Sequence, residues 1–268
     1  MTLPRWRDAV YHLAATLAAA LAAGTAGAQT AASRVTIDLA ANRSSLTANL
    51  PDGKALNLRA AWDIPSGNVL QAELLDERKF GQSGGVAALA YTYRLDTAWY
   101  GIGTFALGHG GPNWANQKVD VQLSRKWLAQ QQLVTSVALY DARFDAGRSD
   151  RGARLSATLY GQMPAVIEAG VIINRSQPGS VRSQMPYASA VFGSHGAQQL
   201  SLRASSGREA YQALGVAGGS LVDFHSRSLS ANWRQWLAPS WGWTAQAEFY
   251  RNPAYERRTL GGGLFAQW

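Results

Sequence analysis

The chain has no cysteine among its 268 residues, which excludes a disulfide framework and thiolate metal ligands. It has one long apolar run, the Ala/Leu stretch at 13–23, and no other. A helix that crosses a bilayer needs about 20 apolar residues, so no helical span is predicted. Beyond residue 33 there is no helical period of ten or more residues, no basic tail and no basic helix. The formal net charge is nevertheless +8. Arginines scattered singly are a poor footprint for nucleic acid, and no nucleic-acid partner is expected.

Arg5 and Arg7 open the chain, the apolar run follows, and Ala26-Gly27-Ala28 precedes Gln29. This three-part order is that of a secretory signal, with cleavage expected after Ala28. Residues 1–28 are therefore assigned to the signal peptide and 29–268 to a single folded domain. The mature domain keeps a charge of +7, because the signal carries Arg5, Arg7 and Asp8. After secretion, anionic lipopolysaccharide or an acidic glycan suits that charge better than nucleic acid.

The segments that remain alternate with a period of two, as half-buried strands do. Over 241–250, Trp241, Trp243, Ala245, Ala247 and Phe249 oppose Gly242, Thr244, Gln246, Glu248 and Tyr250. Over 55–63, Leu56, Leu58, Ala60 and Trp62 oppose Asn57, Arg59 and Asp63. The chain ends in the same way, with Leu260, Gly262, Leu264 and Ala266 on one face and an aromatic residue, Trp268, in the last place. Weaker segments bring the count to about 14 strands, with 12–16 allowed, each near the 9–11 residues that a tilted membrane strand requires. A β-sandwich would give the same alternation. Connection lengths favour a barrel, since short ones such as 64–68 and 237–240 alternate with longer ones such as 78–85, 109–116, 176–185 and 207–221. The fold class predicted is all-β, a transmembrane up-and-down antiparallel β-barrel in the bacterial outer membrane, with the short turns in the periplasm.

Trp62, Trp99, Trp127, Trp236, Trp241 and Trp268 all lie beside expected periplasmic turns or the C-terminus, and are assigned to an interfacial aromatic girdle. Arg125 points outward by parity and lies two residues from Trp127, close enough to the interface to snorkel. Arg59, Glu73, Asp120, Lys126, Arg154, Glu168, Arg203, Arg234 and Glu248 are assigned to the lumen. They are either a polar track for a hydroxyl-rich or acidic chain or a self-satisfied ion network. Gly261 and Gly263 also face inward by parity, which marks a bend or a close inner contact.

Candidates for catalysis are few. His225 adjoins Ser226, but neighbouring strand residues point to opposite faces, so this histidine does not serve that serine. Glu209 and Asp223 near the outer rim are the remaining acid/base pair. Gly261-Gly262-Gly263 lacks the lysine and helix of a phosphate loop. No catalytic residues, metal or cofactor are assigned, and no enzyme activity is expected.

Ser206-Gly207-Arg208-Glu209, Val222-Asp223-Phe224-His225-Ser226-Arg227-Ser228, Trp233-Arg234-Gln235-Trp236 and Pro239-Ser240-Trp241-Gly242 resemble the YaiO family of outer-membrane β-barrel proteins. A fainter likeness covers Glu77-Arg78-Lys79-Phe80-Gly81. The sequence departs from the family pattern at Pro51-Asp52-Gly53-Lys54 and in ending on Trp instead of Phe. The resemblance implies the barrel and its location, and association with surface-polysaccharide production. The expected function is a conduit or accessory for polysaccharide export, the alternatives being a structural or adhesive barrel and an enzyme embedded in the barrel. Expected partners are outer-membrane lipids and lipopolysaccharide, the barrel-insertion machinery, and a polysaccharide.

Overall fold

A computed structural model describes residues 34–161, 165–212 and 221–268, and in it fourteen strands close into one antiparallel barrel. The strands are β1 (Arg34–Leu46), β2 (Gly53–Asp63), β3 (Val69–Lys79), β4 (Gln82–Arg94), β5 (Trp99–His109), β6 (Gln117–Trp127) and β7 (Leu133–Arg143). They continue as β8 (Ser149–Tyr160), β9 (Ala165–Gln177), β10 (Val181–Ser194), β11 (Gln198–Gln212), β12 (Leu221–Ala238), β13 (Trp241–Arg251) and β14 (Glu256–Gln267). Each pairs with its neighbours in sequence, and β1 closes the ring on β14. At that seam Val35 N–H donates to the Trp268 carbonyl at 2.9 Å and Trp268 N–H donates to the Val35 carbonyl at 3.0 Å. The last residue thus completes the ladder that removes the free sheet edge, which lipid could not satisfy. An even strand number leaves both ends of the barrel domain at the same rim, the periplasmic one in barrels of this kind. The expected signal peptide, 1–28, and most of the longest outer connection lie outside the described residues.

Alternation along each strand sorts the side chains into two environments. On one face Leu260 is 69% exposed, Leu139 64% and Leu264 62%, and in register beside Leu264 lie Leu39 and Trp243. An apolar face this open, repeated around the ring, would be a liability in water and is what a lipid-facing wall requires. The other face is interior, as contacts between distant strands prove. Arg234 on β12 reaches Asp38 on β1 at 2.5 Å, although β13 and β14 intervene. Three strand spacings are about 14 Å of wall, a gap side chains close only on the concave side.

Two expectations need correction. The outer connections are tighter than predicted, with only 80–81 between β3 and β4 and 178–180 between β9 and β10. The strands run on past the apolar band, where Gln82, Arg175, Arg182 and Gln184 interrupt the alternation yet the backbone ladders continue. Trp236 is not part of the outer girdle. It shares the parity of Arg234, is 6% exposed, and packs inside against Phe265 at 5.1 Å between ring centres. Trp62, Trp99, Trp127, Trp241 and Trp268 keep the outward parity, joined by Trp243 opposite Leu264. Arg125, also outward, lies over the Trp127 ring at 3.7 Å and the Trp99 ring at 5.2 Å.

Candidate functional site: the inner wall

The inner wall has two unlike halves. From β12 through β14 to β3 three pairs of opposite charge meet across strands. Arg234 donates to Asp38 and lies over Phe265 at 3.6 Å, Arg59 donates to Glu73 at 3.2 Å, and Arg257 pairs with Glu248. Asp38, Arg59 and Glu73 are direct cross-strand partners, so one row of the sheet carries alternating charge across three strands. Glu73 also accepts from Asn57 Nδ2 at 2.5 Å. Opposite charges on directly facing positions stabilise a sheet, and each such pair relieves the cost of holding a lone charge inside.

From β5 to β11 three cations lie instead on tyrosine rings: Lys126 over Tyr100 at 5.9 Å, Lys118 over Tyr140 at 5.2 Å, and Arg203 over Tyr187 at 3.9 Å. None of them enters an ion pair among the described residues, in contrast to Arg154, which lies 3.9 Å from Asp120 and donates to Gln122 at 2.9 Å. Glu168 accepts from the Tyr187 hydroxyl at 2.5 Å. Arg203 has serines as its direct neighbours on both sides, Ser189 on β10 and Ser230 on β12.

Glycine makes room for these rings. A Cβ on Gly170, directly opposite Tyr187, would come within 2.8 Å of its ring, and one on Gly152 opposite Tyr140 within 2.5 Å. Gly261 belongs to the same economy of space, since its Cβ would meet Asn42 and Gln246 at 2.7 Å, and Gly263 lies as close against Ala40. The inward triplet glycines are thus close inner contacts.

Both ends of the lumen are narrowed on the ion-paired side. At the periplasmic end the turn after β10 brings His195 under the barrel, 3.1 Å from Arg34 and edge-on to Trp236 at 4.9 Å. Burial, then Arg34 and Arg234, hold the His195 imidazole below its ordinary pKa. At the outer end Trp114 from the β5–β6 connection is 4% exposed, lies over Gly84, and donates from Nε1 to Glu77 at 3.3 Å. Phe80 meets Tyr255 edge-on at 5.6 Å, and the Tyr255 ring lies tilted against Tyr250 at 5.5 Å. Open space remains on both sides. A recess of about 330 Å³ is lined by Arg59, Gln71, Glu73 and Thr104, and another of about 620 Å³ at the periplasmic end by Arg94, Tyr100, Lys126 and Tyr160.

The residues considered for catalysis do not assemble. Ser226 points inward to Glu209, which also accepts from the Tyr250 hydroxyl at 3.2 Å, whereas His225 is a direct partner of Arg208 on the outer face. Asp223 takes a two-pronged bond from Arg208 and so lies on the face opposite Glu209. Among the described residues no cluster of three or more His, Asp or Glu has metal-binding geometry.

The profile of the YaiO membrane β-barrel domain matches residues 34–212, two-thirds of the chain and all of β1–β11. The chain belongs to the YaiO family. The matched span includes Glu77–Gly81 and Ser206–Glu209 but stops short of the three other runs that carry the resemblance. A search of curated proteins by sequence gives no match. Among solved structures, this YaiO-family barrel is similar to a loop-deletion mutant of OmpT, an outer membrane protein of Vibrio cholerae, at 10% identity, with 88% of this chain and 99% of that one covered and a TM-score of 0.51. Pseudomonas aeruginosa OccK11 matches at 11% identity, 88% and 95% coverage and a TM-score of 0.51. The Acinetobacter baumannii outer membrane protein Omp33 matches at 6% identity, 86% and 97% coverage and a TM-score of 0.50. At these identities the likeness is one of fold, and with the family it establishes a bacterial outer-membrane β-barrel.

Proposed function

We propose that this YaiO-family barrel is a conduit or accessory for an acidic, hydroxyl-rich chain, with surface polysaccharide as the substrate class. The observation that carries the reading is the trio of inner-wall cations, Lys118, Lys126 and Arg203, which rest on tyrosine rings without a carboxylate partner among the described residues. A cation left without an internal counter-charge attracts anions from solution, and a ring beside it offers a flat apolar face to a sugar. Ser189, Ser201, Ser205, Ser228 and Ser230 surround Arg203 with hydroxyls that exchange hydrogen bonds with a passing glycan. Barrels of eight strands are filled by side chains and those of sixteen leave a channel, so fourteen strands leave space that the paired half only partly takes up.

The second reading, a structural barrel without transport, draws on the paired half and on the narrowing by Trp114 and His195. One experiment separates the two. Reconstituted in planar bilayers, the barrel should show an anion-preferring conductance that Arg203→Glu weakens or reverses, and a deletion strain should lose surface or secreted glycan. A barrel that neither conducts nor changes the glycan on deletion overturns the conduit reading and leaves the structural one.

A further inference from the structure

On the outer face of the barrel three arginines stand side by side. Arg151 on β8 is the direct partner of Arg175 on β9, and Arg175 is the direct partner of Arg182 on β10. All three are exposed. Like charges on directly facing positions, with Cα atoms about 5 Å apart, destabilise a sheet. The neighbouring outward arginines are each neutralised from within: Arg151 and Arg143 share Asp141, and Arg208 has Asp223. Arg175 and Arg182 form no ion pair among the described residues, so two of the three arginines in the row lack an internal counter-charge.

Height identifies the missing anion. Below Arg175 the outward residues of β9 are Ile173, Val171, Ala169 and Ile167, down to Ala165 beside the periplasmic turn. Ten residues of strand tilted by about 40° rise roughly 25 Å, the height of the apolar band of a membrane barrel. Arg175 and Arg182 therefore stand where the hydrocarbon of the outer leaflet gives way to its headgroups, on the lipid side of the wall. We propose that Arg175 and Arg182, with Arg151, bind the phosphates of a phosphorylated glycolipid of the outer leaflet, lipid A of lipopolysaccharide, whose acyl chains lie along Ile173, Val171 and Leu155. Guanidinium groups suit phosphate by their planar, two-pronged donation. The site is outside the lumen and is independent of the conduit reading.

The test uses the full barrel, refolded in detergent free of native lipid, and measures retention of fluorescent lipid A. Wild type retains bisphosphorylated lipid A and not its dephosphorylated form. Arg175→Gln with Arg182→Gln weakens retention on the order of 30-fold, as expected for two basic residues at an anionic surface, while Arg175→Lys with Arg182→Lys, which keeps the charge and loses the fork, falls between wild type and the Gln variant. Heat-modifiable mobility reports folding of both variants, and bilayer conductance should be unaltered in both. Equal retention by wild type and the Gln variant overturns the proposal. So does full displacement by millimolar inorganic phosphate, which would make this a site for free anions, or displacement by polyglutamate at matched charge, which would make it a surface for an acidic protein.

Discussion

Removing the Arg234–Asp38 contact should loosen the barrel from the inside, and its size can be worked from the surroundings. The two side chains are 24% and 28% exposed and meet at 2.5 Å across three strand spacings. Breaking a fully buried pair by deleting one partner costs about 3–5 kcal/mol. A quarter of residual exposure lets water reach the orphaned group, which brings the expected cost of Arg234→Met to about 2–3 kcal/mol. Asp38→Asn should cost less, about 1–2 kcal/mol, because Arg234 keeps its place over Phe265 and Trp236. The double variant should fall short of the sum by about 1.5 kcal/mol, as residues in one network do. The assay is urea unfolding in lipid vesicles, followed by tryptophan fluorescence and by heat-modifiable mobility. A coupling below about 0.5 kcal/mol, the scatter of independent sites, would refute the claim that this pair braces the lumen.

Two further outcomes follow from the wall and the topology. Gly170→Val should displace Tyr187, break its bond to Glu168 and unseat Arg203, lowering unfolding stability by about 1–3 kcal/mol. Gly262→Val should cost less, since its outward Cβ meets nothing nearer than 3.4 Å; equal losses in the two variants would remove the packing argument. A tag inserted at Asn113, in the β5–β6 connection, should be labelled on intact cells and one at Gly67, in the β2–β3 turn, should not; labelling at Gly67 would invert the barrel and with it the leaflet assigned to Arg175.

The strands were legible because lipid on one side and water on the other impose a period of two, and β13 and β2 show it without interruption. Periodicity faded where neither face is apolar, which is why β3, β9 and β10 run further outward than their sequence pattern indicated. Trp236 shows a different limit. Nearness to a turn suggested the girdle, yet parity with Arg234 two residues earlier already assigned it to the interior. Parity could likewise have found Lys118, Tyr140 and Tyr187. It could not have found the partnership of Arg234 with Asp38, 196 positions apart, because that depends on barrel closure and curvature. Nor does it reveal that Trp114, in an irregular connection, folds back over Gly84.

The division of the inner wall bears on how a strand count becomes a function. A lumen lined only by matched pairs such as Arg59–Glu73 and Arg234–Asp38 presents little net field to a solute, because each charge is answered within about 3 Å. Lys118, Lys126 and Arg203 are answered by tyrosine rings, whose attraction is on the order of 1 kcal/mol and leaves the formal charge in place. Lys126 itself lines the periplasmic recess, together with Arg94, Tyr100 and Tyr160. On the proposed conduit reading a solute would meet these three cations along β5–β11, with Glu168 beside Tyr187 and Asp150 near Tyr140 among them, while Trp236, His195, Tyr250 and Tyr255 narrow the opposite side at its two ends. If the barrel conducts as proposed, neutralising Arg59 would also release Glu73 from its ion pair, whereas neutralising Arg203 breaks no ion pair among the described residues.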